Sequence, residues 1–238
     1  NKKNIKYIVF HYTGMSSETK AISRLTDVKS KVSCHYFIKK NGEIIKIVPE
    51  LYVAWHAGKS FWKKKKDINS ISIGIELDYF PDKINKKYSS ILIQNLCELL
   101  NKLVKKYNIL PNNILGHSDI APYRKIDPGL NFPWFLLEEK KIAFRVKKLQ
   151  KNREIQSLIK TWYKKNKFYS IKKKLLFMLD YIGYDVSLAQ KNNSDFNKLL
   201  LIYSYRFQNF YKHSLNKKQL LELIEMHFLN ILLTKLKK

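Results

Sequence analysis

Gly116-His117-Ser118-Asp119-Ile120-Ala121-Pro122-Tyr123-Arg124-Lys125-Ile126-Asp127-Pro128-Gly129 is the stretch around which the chain is arranged. Two glycines and two prolines punctuate it, which predicts an ordered loop rather than a helix or a long strand. A loop carrying His117, Lys125 and Asp127 is better suited to chemistry than to core packing. Two of its side chains, His117 and Asp127, are metal-ligand types. A catalytic divalent metal takes about three protein ligands and keeps a fourth position open, so a third donor should come from elsewhere.

Working outward, Ile114-Leu115 reads as a short strand feeding His117 into the loop. The third donor is found at the other end of the region. Ile5 to Thr13 reads as a mostly buried strand, and alternation places Val9, His11 and Thr13 on one face and Ile8, Phe10 and Tyr12 on the other. His11 is then either the missing ligand or a hydrogen-bonded core histidine. A second buried strand, Ile71 to Tyr79, has Ile71, Ile73, Ile75 and Leu77 on one face and Ser72, Gly74, Glu76 and Asp78 on the other. A carboxylate inside such a strand must be paired or functional. Burial raises its pKa toward the range of a general base; a salt-bridged structural glutamate is the alternative.

The remaining elements complete an α+β pattern. Ser16 to Val28 reads as a helix capped by Ser16 or Ser17. Val32 to Lys40 and Glu43 to Val48 read as a hairpin about Asn41-Gly42, with His35 on the first strand. Ala54-Trp55-His56-Ala57-Gly58 is a loop. Ser89 or Ser90 opens a long amphipathic helix to Tyr107, with Leu92, Leu96, Leu99, Leu100, Leu103 and Val104 at helical spacing. From about residue 146 the chain reads as helices alone: Ile155 to Tyr163, Ile171 to Ile182, Asp195 to Tyr211 and Lys217 to Leu236. Gly183 closes the second, and Ser194 and Asn216 cap the third and fourth. The expected architecture is a mixed central β-sheet flanked by helices over 1–145, followed by a smaller all-α domain over 146–238.

His-Tyr-Thr at residues 11–13, Ala-Trp-His-Ala-Gly at 54–58, Ser-Ile-Gly-Ile-Glu-Leu at 72–77 and the 116–129 loop, in this order, resemble the zinc-dependent N-acetylmuramoyl-L-alanine amidases of the amidase-2 type. The resemblance runs from about His11 to about Trp134. It implies one Zn²⁺ per chain on His11, His117 and Asp127, with Glu76 as the base that activates water and Lys125 stabilising the oxyanion. Lys125 and Asp127 are two apart, so an extended loop puts both on one side. Tyr12, Thr13, His56, Trp55 and Arg124 are expected to contact substrate. The resemblance also puts His35 near the floor of the site, where a structural role is an equal reading. The substrate implied is peptidoglycan or a muropeptide, and the place of action the periplasm or cell envelope, with cytoplasmic recycling as the alternative. Tyr181-Ile182-Gly183-Tyr184 and Tyr205-Arg206-Phe207-Gln208-Asn209-Phe210 resemble a small helical peptidoglycan-binding domain. A helical bundle that only packs is the plainer reading.

Charge bears on the competing classes. The 238 residues carry a net +27, and from Lys140 onward lie 23 of the 46 basic residues but only 6 of the 19 acidic ones. Such a surface suits a polyanion, either nucleic acid or the carboxylates of a bacterial wall. The lysines lie in scattered pairs and short runs such as Lys63–Lys66, with no nucleic-acid-binding motif, so nucleic acid is not the expected partner. A non-catalytic recognition module is the remaining rival, but such modules typically lack a ligand, and all three ligand types are present. No stretch approaches the roughly twenty apolar residues of a membrane span. The start at Asn1 is compatible with a removed signal or lipid-anchored segment. Two cysteines, Cys34 and Cys97, exclude a disulfide scaffold and an all-cysteine metal site.

Overall fold

The computed structural model describes residues 4–81, 87–149, 153–207 and 216–236. The chain divides into two compact units, Asn1–Arg145 and Val146–Lys238.

In the first unit, β1 (Tyr7–Tyr12), α1 (Glu18–Thr26), β2 (Tyr36–Ile38), β3 (Ile44–Lys46), β4 (Ser72–Leu77), α2 (Ser90–Tyr107), β5 (Ile114–Gly116), α3 (His117–Ile120) and α4 (Trp134–Glu139) follow one another. The five strands form one mixed sheet in the order β3-β2-β4-β1-β5. β1 runs parallel to both β4 and β5, β2 is parallel to β4, and only the β2–β3 hairpin is antiparallel. The parallel register is what builds the site. His11 lies level with Glu76, and Phe10 level with Gly116, so three sequence-distant segments reach one sheet edge together.

Alternation along β1 and β4 divides the sheet into two faces. Ile8, Phe10, Ile73, Ile75 and Leu77 pack against Leu92, Leu96, Leu99, Leu100 and Leu103 of α2 in one core. That helix reads directly from its spacing: the apolar stripe recurs every three or four residues. Phe132 and Trp134 close the core on Phe10, at ring-centroid distances of 5.3 and 5.5 Å. On the opposite face α1 covers only part of the sheet, through Ala21 against Cys34 and Phe37, with Ile22 and Leu25 beside them. The uncovered remainder carries the site. Cys34 and Cys97 are both buried and free.

Several boundaries differ from the sequence reading. α1 is capped by Ser17, whose hydroxyl accepts from Lys20 N at 3.3 Å. The hairpin turns on Asn41-Gly42 as expected, with Gly42 at φ 90° and its N–H on Lys39 O at 2.9 Å. β2, however, keeps only three residues: His35 N still reaches β4 at Gly74 O, 2.9 Å away, but Ser33 N has turned to Trp55 O of the 54–58 loop at 3.1 Å. The 116–129 loop contains a helical turn, His117–Ile120, which the glycines and prolines argued against. Asp119 explains it: its carboxylate accepts from Gly116 N at 2.7 Å and caps the turn.

The second unit comprises α5 (Arg153–Lys165), α6 (Ile171–Ile182), α7 (Ser187–Lys191), α8 (Asn193–Phe207) and α9 (Lys217–Leu236). Gly183 ends α6 at φ 139°, and Asn216 and Gln219 cap α9 reciprocally at 2.9 and 3.0 Å. Ser194 is not the cap of α8: Asn192 accepts from Asp195 N at 2.8 Å and takes that role. The short α7 was not anticipated, and Gln208 to Tyr211 lie outside the described residues. The bundle is held by an aromatic group of Trp162, Phe177, Tyr181 and Phe228. Asn230 of α9 adds bonds to both backbone groups of Lys147, at 3.0 and 3.1 Å. Among the described residues no helix is long and apolar enough to cross a membrane.

Candidate metal centre

A cavity of about 500 Å³ opens on the uncovered sheet face. His11, from the end of β1, and His117 and Asp127, from the two arms of the loop after β5, meet in it and are all buried. His11 Nδ1 lies 2.9 Å from His117 Nδ1, His117 Nδ1 lies 3.0 Å from Asp127 Oδ2, and His11 Nδ1 lies 3.3 Å from the same oxygen. A tetrahedral ion with bonds of about 2.0–2.1 Å spaces its ligand atoms roughly 3.3 Å apart. The triangle therefore has the size of one face of such a coordination shell, and lone pairs so directed repel unless a cation lies between them. The group can hold a metal ion.

The loop is built to keep these atoms together. Ser118 N donates to Asp127 O at 2.8 Å, tying its arms, and Tyr88 donates to Pro128 O at 2.8 Å. A Cβ at Gly116 would come within 2.6 Å of Pro128 Cδ, so only glycine lets the arms close. The Asp127–Pro128 peptide is cis.

Electrostatics separates the two carboxylates of the cavity. Burial alone would raise Asp127, yet its contacts with His11 and His117, which act as Nδ1–H donors when no cation takes the place of those protons, hold it far below the usual carboxylate range. Glu76 is pushed up to about 8, first by burial and then by the charge of Asp127, against the opposing charges of Lys125 and Arg24. His11 falls to about 4 through burial and the nearby His117. An anion beside two neutral imidazoles is the donor set of a hard-to-borderline divalent cation.

The other sequence-selected residues fall into two groups. Lys125, Trp55, Tyr12, Thr13, His56 and Arg124 line the cavity. Trp55 is 52% exposed at its mouth. Tyr12 is raised to about 12 by burial and by Asp127 and Tyr79. Thr13 is engaged in a turn, its hydroxyl on Tyr79 O at 3.2 Å. Arg124 is likewise tied to the protein, donating to Ala57 O at 2.8 Å and Lys59 O at 2.9 Å. His35 does not line the cavity. It is fully buried, with Nδ1 accepting from Gly74 N at 2.9 Å and Nε2 on Tyr52 O at 3.2 Å, an arrangement that fits the structural one of its two readings. Sequence reasoning missed Arg24 of α1, which also lines the cavity, and Asn69, whose Oδ1 accepts from His56 N and Ala57 N at 3.1 and 2.8 Å. Arg24 could have been found from the amphipathic face of α1; Asn69 left no signal.

The sequence matches the N-acetylmuramoyl-L-alanine amidase family over residues 1–130. The chain belongs to this family. It is 38% identical over 152 residues to the N-acetylmuramoyl-L-alanine amidase AmiD of Escherichia coli K12, covering 58% of this chain and 54% of AmiD. It is 40% identical over 104 residues to the 1,6-anhydro-N-acetylmuramyl-L-alanine amidase AmpD of Citrobacter freundii, covering 44% and 54%. The chain spans about half the length of these curated relatives. Its fold matches E. coli AmiD, solved with the substrate anhydro-N-acetylmuramic acid-L-Ala-D-γ-Glu-L-Lys, with a TM-score of 0.76 at 26% identity over 95% of this chain and 89% of that one. AmpDh3 of Pseudomonas aeruginosa shares the fold with a TM-score of 0.77 at 24% identity, over 95% and 92%.

Proposed function

We propose that this chain hydrolyses the amide between the lactyl group of N-acetylmuramic or anhydro-muramic acid and L-alanine, with one zinc ion on His11, His117 and Asp127. The convergence of those three ligand atoms in one cavity with Glu76 and Lys125 carries the reading. Bound zinc would supply a water of lowered pKa and a Lewis acid for the carbonyl. The rest falls to side chains. Glu76, whose pKa is pushed up to about 8, accepts a proton from the attacking water and returns it to the amine of L-alanine as the C–N bond breaks. Lys125 donates to the oxyanion that develops on the carbonyl oxygen. Asp127 stays ionised throughout, because its low pKa leaves it no proton to exchange. Trp55 and Tyr12 offer apolar and polar surface to the sugar and peptide.

The domain division follows from the same reading: residues 1–145 form the amidase domain, and the basic helical unit, 146–238, anchors it to wall polymer. Action in the periplasm or at the cell envelope, in wall turnover or muropeptide recycling, fits that substrate. The similarity to the muramyl-L-alanine amidases AmiD and AmpD supports the reading. The test is mass analysis of digested peptidoglycan and anhydro-muropeptides. Stem peptides with a free N-terminal L-alanine are expected. Binding without such products would leave a recognition module. Removal of residues 146–238 should lower pelleting with sacculi at moderate salt while sparing cleavage of soluble muropeptides.

A further inference from the structure

The two ligand histidines present their second ring nitrogens to neighbouring positions of one loop. His117 Nε2 lies 3.2 Å from Ala57 O, and His11 Nε2 lies 3.0 Å from His56 Nδ1. Arg124 Nη2 lies 3.3 Å from the same His117 nitrogen, so Nε2 faces a carbonyl and a donor together, and the tautomer of His117 is set at the ligand triangle, where a metal needs the Nδ1 lone pair. The second contact is between two imidazoles, and either could be the donor. What lies behind His56 decides it.

His56 Nε2 lies 3.1 Å from Ser72 Oγ, and Ser72 Oγ lies 2.6 Å from Ile68 O. The Ile68 carbonyl takes the serine proton, which leaves the hydroxyl as acceptor toward His56. His56 is therefore Nε2–H, its Nδ1 is a lone pair, and His11 must be Nε2–H. The polarity runs from a backbone carbonyl through two side chains to the ligand, and it leaves His11 Nδ1 unprotonated and aimed at His117 and Asp127.

Two further observations show that the chain accommodates this path. A Cβ at Gly74 would stand 2.3 Å from His56 Cγ and 2.5 Å from Cδ2, so the ring occupies the space that a side chain on β4 would fill. The loop backbone is pinned at three points: His56 N and Ala57 N on Asn69 Oδ1, and Trp55 N on Ser33 Oγ at 2.9 Å. The cavity face of β4 thus reads Ser72, Gly74, Glu76 as anchor, gap and base.

We infer that His56 and Ser72 are positioning residues that set the tautomer and aim of His11 for the metal, rather than substrate contacts. The inference rests on the metal-site reading given under Proposed function. The experiment is zinc affinity of the full chain by competition with a chromophoric chelator, with visible absorption of the cobalt-loaded protein as second readout and melting in excess chelator as fold control. Loss of such an outer partner costs about 10- to 100-fold in metal affinity, which is expected for His56→Ala. His56→Asn places a carbonyl oxygen where Nδ1 was and should recover most of the affinity and the parental cobalt spectrum. His56→Gln, whose polar end falls near the Ser72 position, should not. Ser72→Ala should weaken binding by less than His56→Ala. If His56→Ala or Ser72→Ala folds and binds zinc as tightly as the parent, the relay is wrong while the metal site stands. Equal losses in the Ala and Asn variants would reduce His56 to packing and also overturn it. A parent chain that takes up neither zinc nor cobalt would overturn the metal reading and the relay with it.

Discussion

Two glutamates of the first unit, Glu50 buried and Glu76 half-buried in the cavity wall, show opposite solutions to the same cost. Glu50, beyond β3, is surrounded by donors: Tyr36 and Tyr107 donate their hydroxyls to it, and Lys106 Nζ lies at 2.8 Å. Burial would raise its pKa, but those donors outweigh burial and bring it down to about 2. Glu76, in the cavity, has its pKa moved the other way, up to about 8. No side-chain donor among the described residues bonds its carboxylate. Burial alone therefore does not say what a carboxylate is for. A ring of donors makes Glu50 a latch between the hairpin and the end of α2, whereas their lack leaves Glu76 free to gain and lose a proton.

The strongest test of that contrast is Glu76→Gln. General-base removal costs about 10²- to 10⁴-fold in rate. The variant should be nearly inactive yet keep its zinc content, fold and muropeptide binding. If it loses zinc as well, Glu76 supports the ligands and the contrast fails. Next is Lys125→Met, with a loss of about 10²- to 10³-fold from the missing oxyanion donor. Lys125 favours the ionised form of Glu76, so its removal should also move the acid limb of the pH–rate profile upward. An unmoved limb would separate the two residues.

Glu50→Gln should do the reverse of Glu76→Gln: activity kept, stability lowered by about 1–3 kcal/mol. The sign of its pH dependence follows from the depressed pKa. The extra stability of the parent should be fully present above the ordinary glutamate range, near 4.5, and vanish as pH falls toward about 2. Melting curves of parent and variant that stay equally far apart at low pH would show that the charge of Glu50 is not the source. The smallest effect is expected from Tyr107→Phe, which removes one of several donors to Glu50 and should cost about 1 kcal/mol.

The two glutamates also differ in how far the sequence disclosed them. Glu76 was legible because strand alternation isolates it among Ile73, Ile75 and Leu77. Alternation also singles out His11, but leaves it between ligand and core histidine, and only the family resemblance makes it a ligand beside His117 and Asp127. Glu50 was not, because it lies in no periodic element and its partners come from β2 and α2, which only the tertiary fold brings to it. The same holds for His56: its loop position was visible, but the link to Ser72 exists only once the chain doubles back. The helical turn at His117–Ile120 escaped because the capping role of Asp119 was hidden behind two prolines and two glycines. Ser194 reads as the cap where Asn192 serves, because serine and asparagine both cap well and boundaries shift by a residue or two.

The level pairing of His11 with Glu76 in adjacent parallel strands has a further consequence. Which side chain faces the cavity is a matter of odd and even positions. Inserting or deleting one residue in β1 upstream of His11 would turn Phe10 or Tyr12 into the cavity and send the histidine among the leucines of α2. Length variation should therefore be absorbed in the turns after β1 and β4, never within them. Laboratory evolution of this protein should accept single-residue indels around residues 14–17 and reject them at 7–11, even where every amino acid type is conserved.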